Sequence, residues 1–173
     1  MFIIFTGNGK GKTTAAMGQA LRAVGNGSTV LMVQFIKGPW KSGEDVSVKK
    51  FGSHFKIIKK GKGFVHINND KVPFEEHRKA SRDALDYAQK QIDLKKWNII
   101  ILDEIWNALS LKLLTSESVT DFINRNISVI DHIIMTGRDC PQEFIDMADL
   151  VTEMKEVKHP FSKGSIGAKG IEY

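Results

Sequence analysis

Hydrophobic positions along this chain fall into two kinds of run. Phe2-Ile3-Ile4-Phe5 and Ile99-Ile100-Ile101-Leu102 are short, unbroken and bulky, the pattern of strands buried on both faces. Residues 29–35, rich in Val, Leu and Phe, read as another strand, and 55–59, 132–136 and 151–157 as three more. Between them the apolar spacing changes to three and four. Ala16, Ala20 and Ala23 mark a helix from Lys12, stopped by Gly25-Asn26-Gly27. Ala80, Ala84, Leu85, Ala88 and Ile92 mark a longer helix opening near Pro73. Ser116 caps a short helix to about Asn124, and Pro141 suits the first turn of one ending near Ala148. Gly38-Pro39-Trp40-Lys41-Ser42-Gly43 is a loop, another passes Asn68-Asn69-Asp70, and the tail is Gly-rich. Strands alternating with helices predict an α/β fold: a mostly parallel sheet with helices on both faces. In such a sheet ligands bind beyond the carboxyl ends of the strands, so chemistry is sought just after each one.

Composition narrows the class. With 173 residues, no internal repeat and no break in composition, residues 1–173 are expected to form a single domain. A hydrophobic share of 42% excludes disorder as the main state. The apolar runs are too short to span a membrane, and a Gly/Lys-rich segment begins where a signal peptide would need its apolar core. Cys140, the single cysteine, excludes an internal disulfide framework and a thiolate-built zinc site. A cytoplasmic protein is expected.

The net charge of +5 is uneven, because residues 37–82 hold 12 Lys+Arg against 5 Asp+Glu, leaving 13 against 15 elsewhere. One reading is a lysine-edged strand or loop in solvent; the other is a surface for an anionic ligand or nucleic acid. Arginine is scarce there and no aromatic ladder accompanies the lysines, which counts against nucleic acid.

The chemistry begins at Thr6-Gly7-Asn8-Gly9-Lys10-Gly11-Lys12-Thr13-Thr14, between the first strand and its helix. A turn this rich in glycine lets backbone N–H groups converge on a phosphate chain, aided by the helix dipole and the Lys12 charge. Thr13 is placed to set its hydroxyl on magnesium. The segment is a P-loop with one departure: Thr6 stands where the general pattern has glycine. The fold is therefore expected to be P-loop NTPase-like. Leu102-Asp103-Glu104 closes the second apolar run with two carboxylates, the form of a magnesium-holding Walker B strand. Which carboxylate faces the metal depends on the pleat and stays open here. Gly137-Arg138, at another strand end, offers a guanidinium for phosphate. Lys158-His159-Pro160-Phe161 offers either a substrate contact or a loop that packs Phe161 inward.

Taken together, these segments resemble the ATP:corrinoid adenosyltransferases of the cobalamin-biosynthesis type. The matching pieces are Gly7 to Thr14, Val33-Gln34-Phe35-Ile36-Lys37-Gly38, Gly43-Glu44, Leu102-Asp103-Glu104 and Thr136-Gly137-Arg138. They continue through Ala148-Asp149-Leu150-Val151-Thr152-Glu153-Met154, Val157-Lys158-His159-Pro160-Phe161 and Gly170-Ile171-Glu172-Tyr173, in family order. The resemblance implies a RecA-like domain that moves the 5′-deoxyadenosyl group of ATP to Co(I) of a corrinoid and releases triphosphate. It implies Gly7, Asn8, Gly9, Lys10, Gly11, Lys12, Thr13 and Thr14 as the nucleotide site, with Lys12, Glu104 and Arg138 catalytic. Thr13, Asp103 and Glu104 would serve Mg2+. A homodimer and a flavoprotein reductant are implied as partners, and no membrane or nucleic acid.

Two departures from the family stand out. Family members commonly carry a segment before the first strand that helps cover the corrinoid, whereas this sequence starts at the strand. Their Gly-Phe-Thr-Trp segment, whose rings displace cobalt's lower ligand, aligns with Gly63-Phe64-Val65-His66. Phe64 is kept; His66 replaces the tryptophan and is either a metal-capable imidazole or a packing residue. The competing function is a RecA-like ATPase, or a nucleotide-gated nucleic-acid-binding protein, resting on the basic segment alone.

Overall fold

In the computed structural model, which describes residues 1–66, 70–160, 168, 170 and 171, six parallel strands form one sheet. They are β1 (Phe2–Thr6), β2 (Val30–Gln34), β3 (Phe55–Lys59), β4 (Ile99–Asp103), β5 (His132–Thr136) and β6 (Leu150–Glu153). The helices are α1 (Lys12–Gly25), α2 (Gly43–Ser47), α3 (Phe74–Asp93), α4 (Ile105–Ser110), α5 (Ser116–Asn126) and α6 (Gln142–Met147). One 3-10 turn spans Val48–Phe51.

The strand order is β3-β2-β4-β5-β1-β6. β1 and β4, which lead into the two phosphate-site motifs, are thus not neighbours. β5 stands between them and pairs with both. The expected parallel sheet with helices on both faces is what the chain forms.

The pleat explains why the strand sequences are apolar throughout. Alternate residues of one strand enter different cores. Phe2 and Ile4 join Leu31, Val33, Ile100 and Leu102 beneath α3, α4, α5 and α6, where Trp106, Phe122 and Phe144 are buried. Ile3 and Phe5 join Val30, Met32, Ile101 and Ile134 on the other face. That face is covered by α1, whose Ala16 and Ala20 are fully buried and bring the helix close to the sheet. Each large side chain removed from water in this way contributes about 1.5–3 kcal/mol. Among the described residues no helix is long and apolar enough to cross a membrane.

Three features were not legible in the hydrophobic pattern. α2, the 3-10 turn and α4 are each six residues or fewer, too short to show a period of 3.6. The Gly38–Gly43 loop ends in α2, whose start is fixed by the Asp45 carboxylate accepting the Ser42 N–H at 2.8 Å. β6 stops at Glu153 rather than continuing to 157, because the chain leaves the sheet at Met154 to cross behind the first turn of the phosphate loop.

Several lysines of the basic stretch are engaged by partners within the chain. Lys59 donates to Trp40 O, Ser42 Oγ and Asp45 Oδ2, Lys60 lies 4.4 Å from the Tyr87 ring centroid, and Lys62 pairs with Glu76 at 3.8 Å. Asn68, Asn69, Phe161, Glu172 and Tyr173 lie outside the described residues.

Candidate active site

The sheet places Thr6, Gln34, Asp103, Thr136 and Glu153 at the carboxyl ends of five neighbouring strands. Everything chemically distinctive in the sequence follows from this edge.

At the phosphate loop, the departure at Thr6 has a structural cause. Thr6 is still strand: it pairs with Glu153 of β6, and its carbonyl accepts the Met154 N–H at 2.8 Å. Its hydroxyl accepts the Cys140 N–H at 3.3 Å. The chain turns only at Gly7, with φ 96°, and again at Gly11, with φ 118°, both conformations that side chains disfavour. Lys12 opens α1 and folds back over the loop, donating to Gly7 O at 2.6 Å and Gly9 O at 2.8 Å. Partial burial lowers its pKa, helped by Arg138, against the pull of Glu104, Asp139 and Asp103. The ammonium is held among carbonyls by groups that a phosphate oxygen would replace. Asn8 and Lys10 are exposed, and the Thr14 hydroxyl donates to Gly11 O at 2.9 Å.

The two carboxylates behave differently. Asp103 is fully buried and its oxygens are filled: Oδ1 accepts from Thr13 Oγ1 at 2.8 Å and Thr136 Oγ1 at 2.7 Å, and Oδ2 from Gln34 Nε2 at 2.9 Å. Glu104 breaks from the strand in the left-handed region, φ 65°, where its N–H donates to Thr136 Oγ1 at 2.9 Å. Its side chain borders the same cavity as Lys12 and Thr13. Its Oε2 is buried with no hydrogen-bond partner. Burial first, and then the Asp103 charge, raise its pKa to about 7. Asp103 is thus an internally satisfied hub, whereas Glu104 borders the cavity with one buried oxygen unpartnered.

Lys10 to Thr14, Lys37, Glu44, Glu104, Asn107, Thr136 and Arg138 line one cavity of about 630 Å³. A volume in the range of small-molecule sites is therefore bordered by every phosphate-site motif. Lys37, Glu44 and Asn107 had not been identified as site residues by their types alone. Lys37 donates to Glu44 Oε1 at 2.8 Å. Burial works against the Lys37 ammonium, but its hydrogen bond to Glu44 and the charges of Asp103, Glu44 and Glu104 outweigh it and raise its pKa. Burial likewise works against ionised Glu44, and the Lys37 contact leads the effects that nonetheless lower its pKa. Asn107 Oδ1 accepts the Arg138 N–H at 2.9 Å, which fixes the backbone carrying that guanidinium. The available signal for Lys37 was position: it follows β2 as Arg138 follows β5. A cavity of about 680 Å³ bordered by Thr29, Lys96 and Trp97 lies at the opposite ends of the strands and contains none of the motif residues.

Phe64 and His66 lie outside that nucleotide-sized cavity, on the loop after β3. This loop is tied to the one after β2 by Lys60 N–H to Gln34 O at 3.0 Å and Gly63 N–H to Ile36 O at 3.1 Å. Phe64 stacks on Trp40 with centroids 5.9 Å apart and planes at 27°. Both rings are about 60% exposed, so the stack is a surface feature and not core. His66 turns the other way, at φ 58°, and stacks on Phe74 at 5.3 Å. Asp70 holds this turn by accepting the His66 and Val72 N–H groups, and meets buried His77 at 3.1 Å.

The model of the family described as ATP:corrinoid adenosyltransferase BtuR/CobO/CobP matches residues 1–173. The corrinoid adenosyltransferase of Escherichia coli strain K12 is 36% identical over 173 residues, covering all of this chain and 85% of that protein. The corrinoid adenosyltransferase CobA of Salmonella typhimurium strain LT2 is 35% identical over the same span and share. That of Pseudomonas aeruginosa is 32% identical and 83% covered. Among solved structures, the flagellar accessory protein FlaH of Methanocaldococcus jannaschii superposes with a TM-score of 0.53 at 15% identity, covering 88% of this chain and 69% of that one. This last likeness concerns the fold alone.

Proposed function

The chain belongs to the ATP:corrinoid adenosyltransferase family, an enzyme family that adenosylates corrinoids with ATP in cobalamin metabolism, and on that premise we propose how its residues divide the work. The cavity at the carboxyl edge binds ATP, with its triphosphate along Gly7 to Thr14. A corrinoid in the Co(I) state approaches from the Trp40–Phe64 side. The cobalt electron pair forms the bond to the ribose C5′, the C5′–oxygen bond breaks, and its electrons leave with triphosphate. The substrate metal is itself the nucleophile, so no side-chain nucleophile is required. The protein has to stabilise the charge that accumulates on the departing oxygen. Loop N–H groups, Lys12 and Arg138 supply fixed positive potential for this in a partly dry site.

Magnesium fits the residues present. Thr13 donates its hydroxyl hydrogen bond to Asp103, which leaves the oxygen lone pairs for a hard cation. Glu104 Oε2 is buried, unpartnered and on the cavity wall. Among the described residues no group of three or more His, Cys, Asp or Glu forms a ready-made metal cage. Magnesium would therefore be held jointly by Thr13, Glu104 and the nucleotide phosphates, with Asp103 behind Thr13. When bound it would neutralise phosphate charge.

The observation that carries this reading is the Thr13–Asp103–Thr136–Glu104 chain, which joins both motifs at one cavity of a chain that the family model matches over residues 1–173. The test is incubation of the purified protein with ATP, magnesium and chemically reduced corrinoid. Adenosylated, light-sensitive corrinoid with equimolar triphosphate is the expected product. ADP and phosphate with an unchanged corrinoid spectrum would overturn the reading. We further expect residues 1–173 to act as one domain, in a cytoplasmic homodimer supplied with electrons by a flavoprotein.

A further inference from the structure

The Glu153-Met154-Lys155 segment has no part in the chemistry above, yet it makes the closest backbone contacts of the phosphate loop. Where β6 ends, the chain crosses directly behind Gly7 to Gly11. The Met154 N–H donates to Thr6 O at 2.8 Å, and the Gly9 N–H donates to Met154 O at 2.6 Å. A Cβ added to Gly7 would stand 2.5 Å from Met154 O and 2.9 Å from Glu153 Cγ. One added to Gly9 would stand 2.7 Å from Met154 O and 2.8 Å from the Lys155 carbonyl carbon. One added to Gly11 would meet Met154 Sδ at 3.3 Å. Two of the loop's glycines are therefore demanded by the backbone of the crossing segment, before any phosphate is considered. The third glycine faces the thioether.

We infer that Met154 is a positioning residue for the triphosphate site. The loop is clamped from behind in one conformation. The Gly9 amide is committed to Met154 O, which leaves the remaining loop donors and Lys12 to meet the ligand. The Met154 side chain lies against Gly11, the residue immediately before α1, and also packs on the core that α1 covers. It thereby sets the height at which Lys12 and Thr13 enter the cavity. A loop held in its binding shape pays less ordering entropy when the ligand arrives, so the clamp acts on nucleotide affinity rather than on the bond-breaking step. The inference rests on the triphosphate reading of Gly7 to Thr14.

Three variants test it: Met154→Ala, which removes the thioether; Met154→Val, which shortens it; and Met154→Leu, which nearly conserves volume. Calorimetric binding of ATP and of inorganic tripolyphosphate is measured without corrinoid, followed by KM for each substrate and kcat. Met154→Ala is expected to weaken both ATP and tripolyphosphate about tenfold, with kcat at saturation and the corrinoid KM within about twofold of wild type. Met154→Leu should restore binding to within about threefold, and Met154→Val should fall between. Should Met154→Ala fail to fold, Met154→Val decides the same question. Unchanged ATP and tripolyphosphate binding in a folded variant overturns the inference. So does an equal loss in kcat and in the corrinoid KM, which is the mark of general damage. Wild-type protein that binds tripolyphosphate yet adenosylates nothing would overturn the functional reading and leave the role of Met154 standing.

Discussion

Thr13 and Asp103, ninety positions apart, share a hydrogen bond of 2.8 Å from the Thr13 hydroxyl to Asp103 Oδ1. It joins the first turn of α1 to the end of β4 across an intervening strand, and Thr136 of that strand donates to the same oxygen. Three donors converge on Asp103, so a residue there must offer acceptors on both oxygens. Asp103→Asn turns one acceptor into an NH2 group facing a donor. Leaving such a buried group mismatched costs about 1–3 kcal/mol, roughly 2–12 °C in Tm for a chain of this size. Both the Tm and the magnesium dependence of adenosyl transfer should therefore suffer. A variant with unchanged Tm would show that the hub is not a net stabilising feature.

Lys12 donates to two loop carbonyls, Gly7 O and Gly9 O. Lys12→Ala removes the full positive charge nearest those oxygens. Loss of one such contact to a charged leaving group costs about 100-fold in kcat/KM. The loss should appear in tripolyphosphate binding as well as in turnover. Retained activity at low and saturating ATP alike would remove Lys12 from the site.

How much of this could be read from the chain depends on the length over which each signal acts. β4 announces itself because four apolar residues run into two acids, and α3 because five buried apolar positions keep step over several turns. Lys37 and Asn107 gave no comparable signal. Their place in the cavity comes from sheet order and from a left-handed turn at Glu104, neither of which leaves a mark at their own positions. The split between Asp103 and Glu104 was hidden for the same reason: it depends on Gln34, Thr13 and Thr136 reaching one residue from three other elements.

Thr6 reverses the usual expectation, since a departure from the general loop pattern proves to be a strand residue with a bonded side chain. Restoring the general pattern with Thr6→Gly deletes the hydroxyl that accepts the Cys140 N–H and loosens the end of β1. The variant should lose about 1–2 kcal/mol of stability by chemical denaturation. ATP affinity should not improve. A tighter-binding, equally stable variant would mean that Thr6 is an accident of history.

Trp40 and Phe64 present a stacked, exposed pair where most neighbours are charged or glycine. Trp40→Ala strips Phe64 of its partner without touching the nucleotide cavity. The corrinoid KM should rise about tenfold while the ATP KM stays within about twofold, in keeping with the loss of an apolar ring contact. A rise in the ATP KM alone would place the stack on the wrong substrate.

Glu104 gives the protein a pH signature that can be read without any corrinoid. Its folded pKa, about 7, lies above the ordinary carboxyl value of 4.5, because burial and Asp103 oppose its charge. Between those two values the folded state keeps a proton that the unfolded chain has released, so stability falls as pH rises through this window. The cost of ionising Glu104 is fully felt above pH 7 and amounts to about 3 kcal/mol at most. Glu104→Gln, which cannot ionise, should therefore raise the Tm of the ligand-free protein at pH 8 and change it little at pH 4.5. Magnesium and ATP should narrow the difference by favouring the ionised carboxyl. An equal Tm change at both pH values would mean that Glu104 titrates as an ordinary surface acid, and the assignment of this buried carboxyl to magnesium would fall with it.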